Sequence, residues 1–146
     1  NGKITSWDSS NDTIVKEVNS QGFMADSDEN GNLLFLKKNE FIFYDNAKDS
    51  VGFAGKHQDW PYFHPASQKT YRIPLNLELT TGLLTDKYVF TSGIDRSVRK
   101  WNKADGSLVE DFLEHRASIS GMDLSNDGTQ MVSVDLKGEI AFRDVD

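Results

Sequence analysis

The chain has 146 residues, enough for one modest hydrophobic core, and its 37% hydrophobic and 27% charged residues are typical of a globular protein. The net charge of −7 disfavours nucleic acid or an anionic lipid surface as a partner. Cysteine is absent, which excludes disulfides, thiolate zinc sites and cysteine nucleophiles. No apolar run of membrane-spanning length and no secretory leader pattern is visible, so we expect an intracellular location, cytoplasmic or nuclear, and no membrane insertion.

Short β-strands separated by turns are predicted from one end of the chain to the other. Apolar and β-branched residues come in runs of strand length, for example at residues 89–92 and 131–134, and helical periodicity is scarce. Between such runs, Gly31, Gly106 and Gly128 each follow an Asn or Asp, a pairing that favours tight turns because these residues accept positive φ. This spacing of strands and turns indicates an all-β sandwich, barrel or propeller.

One pattern of strand, tight turn and strand recurs along the chain. Its clearest copy, residues 91–102, ends in Trp101 and a short polar residue, and residues 133–144 repeat the same shape. A weaker copy covers residues 34–45, and residues 2–8 match the end of a further copy. Apart from one longer interval, the copies follow one another at about the 40–45-residue period of a four-stranded propeller blade.

These repeats resemble WD40 repeats, best over residues 88–144 and more weakly over nearly the whole chain. His115 stands at the position of the family's His, Asp95 at that of its turn Asp, and Trp101 with Asn102 at that of its Trp-Asp pair. In the family, a His, a Ser or Thr, an Asp and a Trp form a buried hydrogen-bonded set that locks each blade. The resemblance therefore implies a blade-locking role for His115, Ser133, Asp95, Trp101 and Trp7.

The repeats also depart from the family pattern. In the last repeat, Lys137 falls at the turn-Asp position and Arg143 at the Trp position. In the earlier repeat, Lys38 and Tyr44 occupy those two places, so no repeat has every member of the set. Quinoprotein-type propellers share the Gly-containing turn after the third strand, and they are an alternative within the same fold.

The resemblance implies an all-β protein with a β-propeller fold of about three to four four-stranded antiparallel blades. The expected organisation is the end of one blade at residues 1–18, blades at 21–55 and 70–112, an incomplete blade at 118–146 and an inserted aromatic loop at 56–69. Because the first and last blades both supply a third strand, they cannot close one ring together. We therefore expect part of a larger ring of roughly seven or eight blades.

Such propellers present their faces and loops to other proteins, so the resemblance implies a non-catalytic protein–protein interaction scaffold without a cofactor. The expected partners are other proteins in a larger complex, or the remaining blades of the same propeller. The inserted loop carries rigid aromatic side chains of the kind enriched at binding hot spots. The predicted partner-binding residues are Trp60, Tyr62, Phe63 and His64, and packing of these aromatics over the blade edge is the alternative.

A metal-binding or enzymatic propeller module is the alternative function. Asp26, Asp28 and Asn30 place oxygen ligands at alternate positions before a Gly, as a Ca²⁺-binding loop does. The same residues also suit a plain hairpin turn, which is the interpretation we favour, so no metal is predicted there.

Two further groups of polar residues have a functional and a structural interpretation. His57 and His64, with Asp59 between them, suit a metal site, but a lone loop pair is a weak signal. The basic residues around Trp101 suit nucleic acid, but strand geometry splits them over two faces of the sheet. They are Arg96, Arg99, Lys100 and Lys103.

Overall fold

The structure is a computed structural model that describes residues 2–19, 22–74 and 77–146, and the side chains of residues 7 and 60–63 lie outside its description. The described residues form fifteen β-strands. In chain order these are β1 (Lys3–Asp8), β2 (Thr13–Asn19), β3 (Phe23–Ser27), β4 (Leu33–Lys37), β5 (Glu40–Asp45), β6 (Ser50–Lys56), β7 (Asp59–His64), β8 (Lys69–Pro74), β9 (Leu79–Leu84), β10 (Tyr88–Gly93), β11 (Val98–Asn102), β12 (Leu108–Phe112), β13 (Ile119–Leu124), β14 (Gln130–Asp135) and β15 (Ile140–Asp144).

The strands form antiparallel sheets in which neighbours in sequence are neighbours in space. β3 to β6 make one four-stranded sheet and β9 to β12 another, while β13 to β15 make a three-stranded sheet of the same order. β1 pairs with β2, and β7 pairs with β8. The all-β prediction is confirmed for the described residues, among which no helix has the length and apolarity needed to cross a bilayer.

The turns that connect these strands follow the predicted chemistry. Gly31, Gly106 and Gly128 adopt φ values of +75°, +74° and +68°, in the region that glycine enters without steric cost. At the β13–β14 turn the Asp127 carboxylate accepts the Ser125 hydroxyl at 2.6 Å and the Thr129 N–H at 3.1 Å, and these bonds lower the Asp127 pKa to about 2. Short turns of this type keep consecutive strands antiparallel and adjacent.

Apart from the β7–β8 hairpin, successive sheets pack face to face in chain order. Between the sheet β3–β6 and the sheet β9–β12, the described core contains Leu34, Leu36, Phe41, Phe43, Leu79, Leu84, Val89 and Trp101. Between β9–β12 and β13–β15 it contains Phe90, Val98, Ile119, Met131 and Val145. Ile4 and Val18 of the β1–β2 hairpin pack against Phe35 and Tyr44 of the next sheet. Both faces of the two inner sheets are therefore buried, which explains their apolar character on both sides, as in residues 33–36.

The segment predicted as an inserted loop, residues 56–69, instead contains β7 and the turn to β8. Aromatic residues favour extended backbone, and residues 59–64 pair in register with residues 69–74 to form a hairpin. Pro61 lies within β7, although proline has no N–H to donate to a ladder. The sheet that we expected from residue 70 consequently begins at Leu79, after this hairpin.

Candidate functional site

A buried hydrogen-bonded network centred on His57 lies between the sheets β3–β6 and β9–β12. His57 directly follows β6, where its N–H donates to Asn39 O at 2.8 Å and Asn39 Nδ2 donates to His57 O at 3.0 Å. These bonds hold the imidazole beside Thr91 on β10, Trp101 on β11 and Asp95 in the turn between them. All four of these side chains are buried.

The partners of the network allow one arrangement of hydrogens. Trp101 Nε1 can only donate, so its 2.8 Å bond makes Thr91 Oγ1 an acceptor and leaves the Thr91 hydroxyl hydrogen for His57 Nε2 at 2.9 Å. His57 Nδ1–H then donates to Asp95 Oδ2 at 2.7 Å. The Ser97 hydroxyl donates to the same carboxylate oxygen at 2.8 Å. Each of these buried polar groups therefore has a partner.

Burial and hydrogen bonding set the charges of this network. Burial lowers the pKa of His57 from its usual 6.5, and this effect outweighs the opposite effect of the bond to Asp95. Burial also acts to raise the pKa of Asp95. Hydrogen bonds from His57 and Ser97 outweigh that effect and hold the pKa of Asp95 below its usual 3.8. At neutral pH the imidazole is therefore neutral and the carboxylate is ionised.

The order of hydroxyl, imidazole and carboxylate is also that of a nucleophilic triad. A nucleophile must reach its substrate, yet Thr91 is 0% exposed and its oxygen already accepts the Trp101 N–H. The geometry therefore favours a structural role, in which the network joins the loop after β6 to β10 and β11.

Charged residues extend this network to the β7–β8 hairpin. Arg99 Nη2 donates to Asp59 Oδ1 at 2.6 Å and lies 3.5 Å from Asp95 Oδ2. Arg72 on β8 bridges Asp59 at 3.1 Å and Asp111 on β12 at 2.5 Å. Ion pairs thus fix the hairpin against the edge of the sheet β9–β12.

A second buried histidine, His115, lies at the equivalent place before β13. Its Nε2 contacts Ser133 Oγ at 2.7 Å, but its Nδ1 lies 3.7 Å from Asp135 Oδ2, beyond hydrogen-bond distance. Among the described residues His115 Nδ1 has no hydrogen-bond partner. Arg143 occupies the place that Trp101 has in the preceding sheet. The second network is therefore open where the first is closed.

The structure distributes the predicted blade-locking residues over these two networks. Asp95 and Trp101 join the network of His57, whereas His115 contacts Ser133. The sequence interpretation missed His57 in this role because the β7–β8 hairpin separates it from β9. The signal that was available is its position within three residues of the end of a fourth strand, which His115 shares.

The carboxylate beside His115 comes from Asp135 and not from the position of Lys137, where the repeat alignment placed it. Asp135 Oδ1 accepts the N–H groups of Lys137 at 2.9 Å and Glu139 at 3.0 Å, so the carboxylate closes the β14–β15 turn from its first residue. Trp7, predicted to lock the first blade, lies in β1, and its side chain is outside the described set.

The acidic loop that suggested Ca²⁺ has its carboxylates engaged by protein donors. Asp28 accepts hydrogen bonds from Asn30 N–H at 3.0 Å and from Lys103 Nζ at 2.6 Å. Burial acts to raise the pKa of Asp28, but the bond from Lys103 and the bonds from a neighbouring amide lower it overall. Asp26 Oδ2 accepts the Leu84 N–H at 2.7 Å. The loop therefore serves as a turn that is tied to the next sheet.

The two histidines that suggested a metal site differ in burial. Both ring nitrogens of His57 are used in its network, while His64 is exposed at the end of β7, with its Nδ1 accepting the Ser67 N–H at 3.2 Å. The other predicted partner-binding residues lie in β7, and their side chains are outside the described set, so their role stays a prediction. They are Trp60, Tyr62 and Phe63.

The predicted basic cluster is used within the protein. Arg99 and Lys103 form the carboxylate pairs given above, and Lys100 Nζ lies 3.9 Å from the centroid of the Tyr88 ring. Arg99, Lys100 and Lys103 therefore have partners inside the fold.

The outer face of the last sheet is apolar and exposed. Val132 pairs with Phe142, and Val134 pairs with Ile140, so the four side chains share the face that points away from the sheet β9–β12. Ile140 is 60% exposed and Phe142 is 72% exposed.

No protein-family model matches this chain, and no curated protein sequence gives a significant match to it.

Proposed function

We propose that this chain is a set of WD-repeat-type propeller blades that acts as a non-catalytic scaffold for other proteins. The packing of consecutive antiparallel sheets in chain order supports the propeller. The network of His57, Thr91, Asp95 and Trp101 supports the WD-repeat type, because it has the four residue types of the family's blade lock. Both features describe how the scaffold is built.

The single observation that carries the binding function is the exposed face of the last sheet. Counted from Ser133 and Thr91, Ile140 is the equivalent of Val98 on the preceding sheet. Val98 is 0% exposed because the next sheet covers it, whereas Ile140 and Phe142 point outward. The exposed face of the last sheet is therefore apolar like the covered face of the preceding sheet, and an exposed apolar face of this kind is typical of an interface.

The chemistry of this face indicates its partner. An apolar sheet surface is complementary to another apolar sheet face, as the inner sheets of this chain show. Burial of a side chain such as Phe142 or Ile140 stabilises an interface by about 1.5–3 kcal/mol. The preferred partner is therefore a β-sheet of another blade or protein, and the aromatic hairpin β7–β8 is a second predicted contact.

Site-specific photo-crosslinking tests this function. A photoreactive phenylalanine analogue in place of Phe142 is expected to form discrete adducts with a partner protein in cells that contain this protein. The matched control places the same analogue at Val109, which is 49% exposed on β12. Adducts at both positions with the same pattern, or at neither, would refute the outer face as the binding surface.

A further inference from the structure

His115, Asp135 and Glu139 come together on one side of the last sheet. Each offers a ligand atom, and these atoms all lie within 4.8 Å of one another. His115 Nδ1 and Asp135 Oδ2 are 3.7 Å apart. Two ligands of one tetrahedral zinc ion are separated by about 3.4 Å, given metal–ligand bonds of about 2.1 Å. The His115–Asp135 pair is thus close to the spacing of two metal ligands and is longer than a hydrogen bond.

The unpartnered nitrogen of His115 points into this cluster. The residue is 7% exposed, and among the described residues its Nδ1 has no hydrogen-bond partner. On the other side of the ring, Nε2 is held by Ser133 Oγ at 2.7 Å. A hydroxyl that accepts Nε2–H leaves the Nδ1 lone pair directed at the carboxylates, where a cation stabilises it.

The equivalent positions of the preceding sheet show how this site differs from a closed lock. Counted from Thr91 and Ser133, Glu139 replaces Ser97 and Ala141 replaces Arg99. Ser97 donates to Asp95, and the Arg99 guanidinium lies 3.5 Å from the same carboxylate. The last sheet therefore exchanges a hydroxyl donor for a carboxylate and loses the buried cation.

Glu139 is paired with an exposed cation, whereas the cation beside Asp95 is buried. Arg116 Nε lies 3.6 Å from Glu139 Oε1, but the Arg116 side chain is 81% exposed, and its backbone N–H donates to Glu139 Oε2 at 3.2 Å. Asp135 is oriented by N–H groups, including that of Ala117 at 3.1 Å. Two carboxylates thus face one buried imidazole nitrogen.

We propose that His115, Asp135 and Glu139 bind a divalent transition-metal cation of the Zn²⁺ type. One imidazole and two carboxylates are a ligand set that zinc accepts, with the fourth position open to water on the exposed side of Glu139. Ca²⁺ prefers six to eight oxygen ligands and does not fit a set with a histidine nitrogen. The metal joins the loop before β13 to the β14–β15 turn. In the preceding sheet, the His57–Asp95 hydrogen bond makes the equivalent connection. This inference does not depend on the proposed binding function.

Calorimetric titration of the whole chain with ZnCl2 tests the site, with CaCl2 as the comparison cation. We expect saturable zinc binding at one site, a raised melting temperature, and no comparable effect of calcium. Glu139→Gln removes a ligand from a side chain that is 40% exposed, so the variant folds, and we expect zinc affinity to fall at least about tenfold. Glu29→Gln, an exposed carboxylate elsewhere, and His64→Gln, an exposed histidine, are the matched controls and should bind zinc as the wild type does.

Nitrogen-15 NMR of the histidine rings gives a readout that a structural role alone does not move. Zinc should shift the His115 Nδ1 resonance and leave the two ring nitrogens of His57 unchanged. The proposal is overturned if zinc does not bind, if Glu139→Gln binds it as tightly as the wild type, or if His64→Gln abolishes the binding.

Discussion

The two buried histidines occupy equivalent places before consecutive sheets, but their surroundings differ. His57 has partners on both ring nitrogens, with Asp95 at 2.7 Å and Thr91 at 2.9 Å. His115 has a partner on one, Ser133 at 2.7 Å. The same position in a repeat can therefore be closed by hydrogen bonds in one sheet and left open in the next.

The difference follows from what accompanies each histidine. Trp101 completes the first network by donating to Thr91, whereas Arg143 at the same place pairs with the exposed Glu114 at 2.6 Å. Arg143 Nε and Nη1 are buried without a hydrogen-bond partner among the described residues. The residue at the Trp position thus determines whether the hydroxyl of Thr91 or Ser133 has a second side-chain partner besides its histidine.

Removal of the carboxylate is expected to have the largest effect and to separate the two networks. Asp95→Ala leaves His57 Nδ1–H and the Ser97 hydroxyl buried without their acceptor, and it removes one of the anions beside Arg99, so the free energy of unfolding should fall by about 3–5 kcal/mol. Asp135→Ala removes acceptors of backbone N–H groups near a solvent-exposed turn, and its loss should be smaller. Urea denaturation at pH 7 measures both, and equal losses would show that the two networks contribute alike.

Exchange of the residue at the Trp position should have the next largest effect. Trp101→Phe keeps most of the apolar contact with the preceding sheet but removes the N–H that Thr91 Oγ1 accepts, so stability should fall by about 1–3 kcal/mol. Arg143→Trp removes a guanidinium with two unpartnered nitrogens and places an indole N–H near Ser133, so stability should rise by about 1 kcal/mol. Denaturation curves of the two variants check these opposite signs. A stability loss in Arg143→Trp would mean that the last sheet cannot accept the first network's geometry.

Much of this architecture follows from the sequence because its signals are local. The turns at Gly31, Gly106 and Gly128 and the alternation of short strands were predicted and are present. The β7–β8 hairpin was not predicted, because Pro61 argues against a strand while the pairing that overrides it involves residues 69–74.

The networks were predicted in part, and for a related reason. Asp95 and Trp101 stand within one repeat and were predicted from its resemblance to WD40 repeats. Their histidine comes from the loop after the preceding sheet, and the β7–β8 hairpin between it and β9 hides that relation. Asp135 was missed because it stands two residues before Lys137, the residue that aligns with the turn Asp. Its carboxylate is held beside the histidine by hydrogen bonds of the turn, which the sequence alone does not show.

Acid should weaken the first network because His57 is buried in its neutral form. Its pKa in the folded chain lies below the usual 6.5, so below about pH 6.5 the unfolded chain binds a proton that the folded chain does not. Stability is therefore full above that pH and is lost as the pH falls, by at most about 1.4 kcal/mol per pH unit for one proton. The lowered pKa of Asp95 adds a second loss below 3.8.

Urea denaturation between pH 7.5 and 5 measures this loss. His57→Gln should flatten the decline, whereas His64→Gln should leave it unchanged because that ring is exposed. A decline of the same steepness in His57→Gln would place the titrating group elsewhere.

The smallest effect is expected at a position where the two sheets differ in burial by a neighbouring sheet and not in hydrogen bonds. Val98→Ala removes apolar contact from a position that is 0% exposed, between two sheets, and should lower stability by about 1–2 kcal/mol. Ile140→Ala, at the equivalent position of the last sheet, removes a side chain that is 60% exposed and should change stability by less than about 0.5 kcal/mol. Thermal denaturation of the isolated chain compares the two. If a partner sheet is then bound to the outer face, Ile140→Ala should acquire a cost similar to that of Val98→Ala, because the same apolar position would then be covered in both sheets.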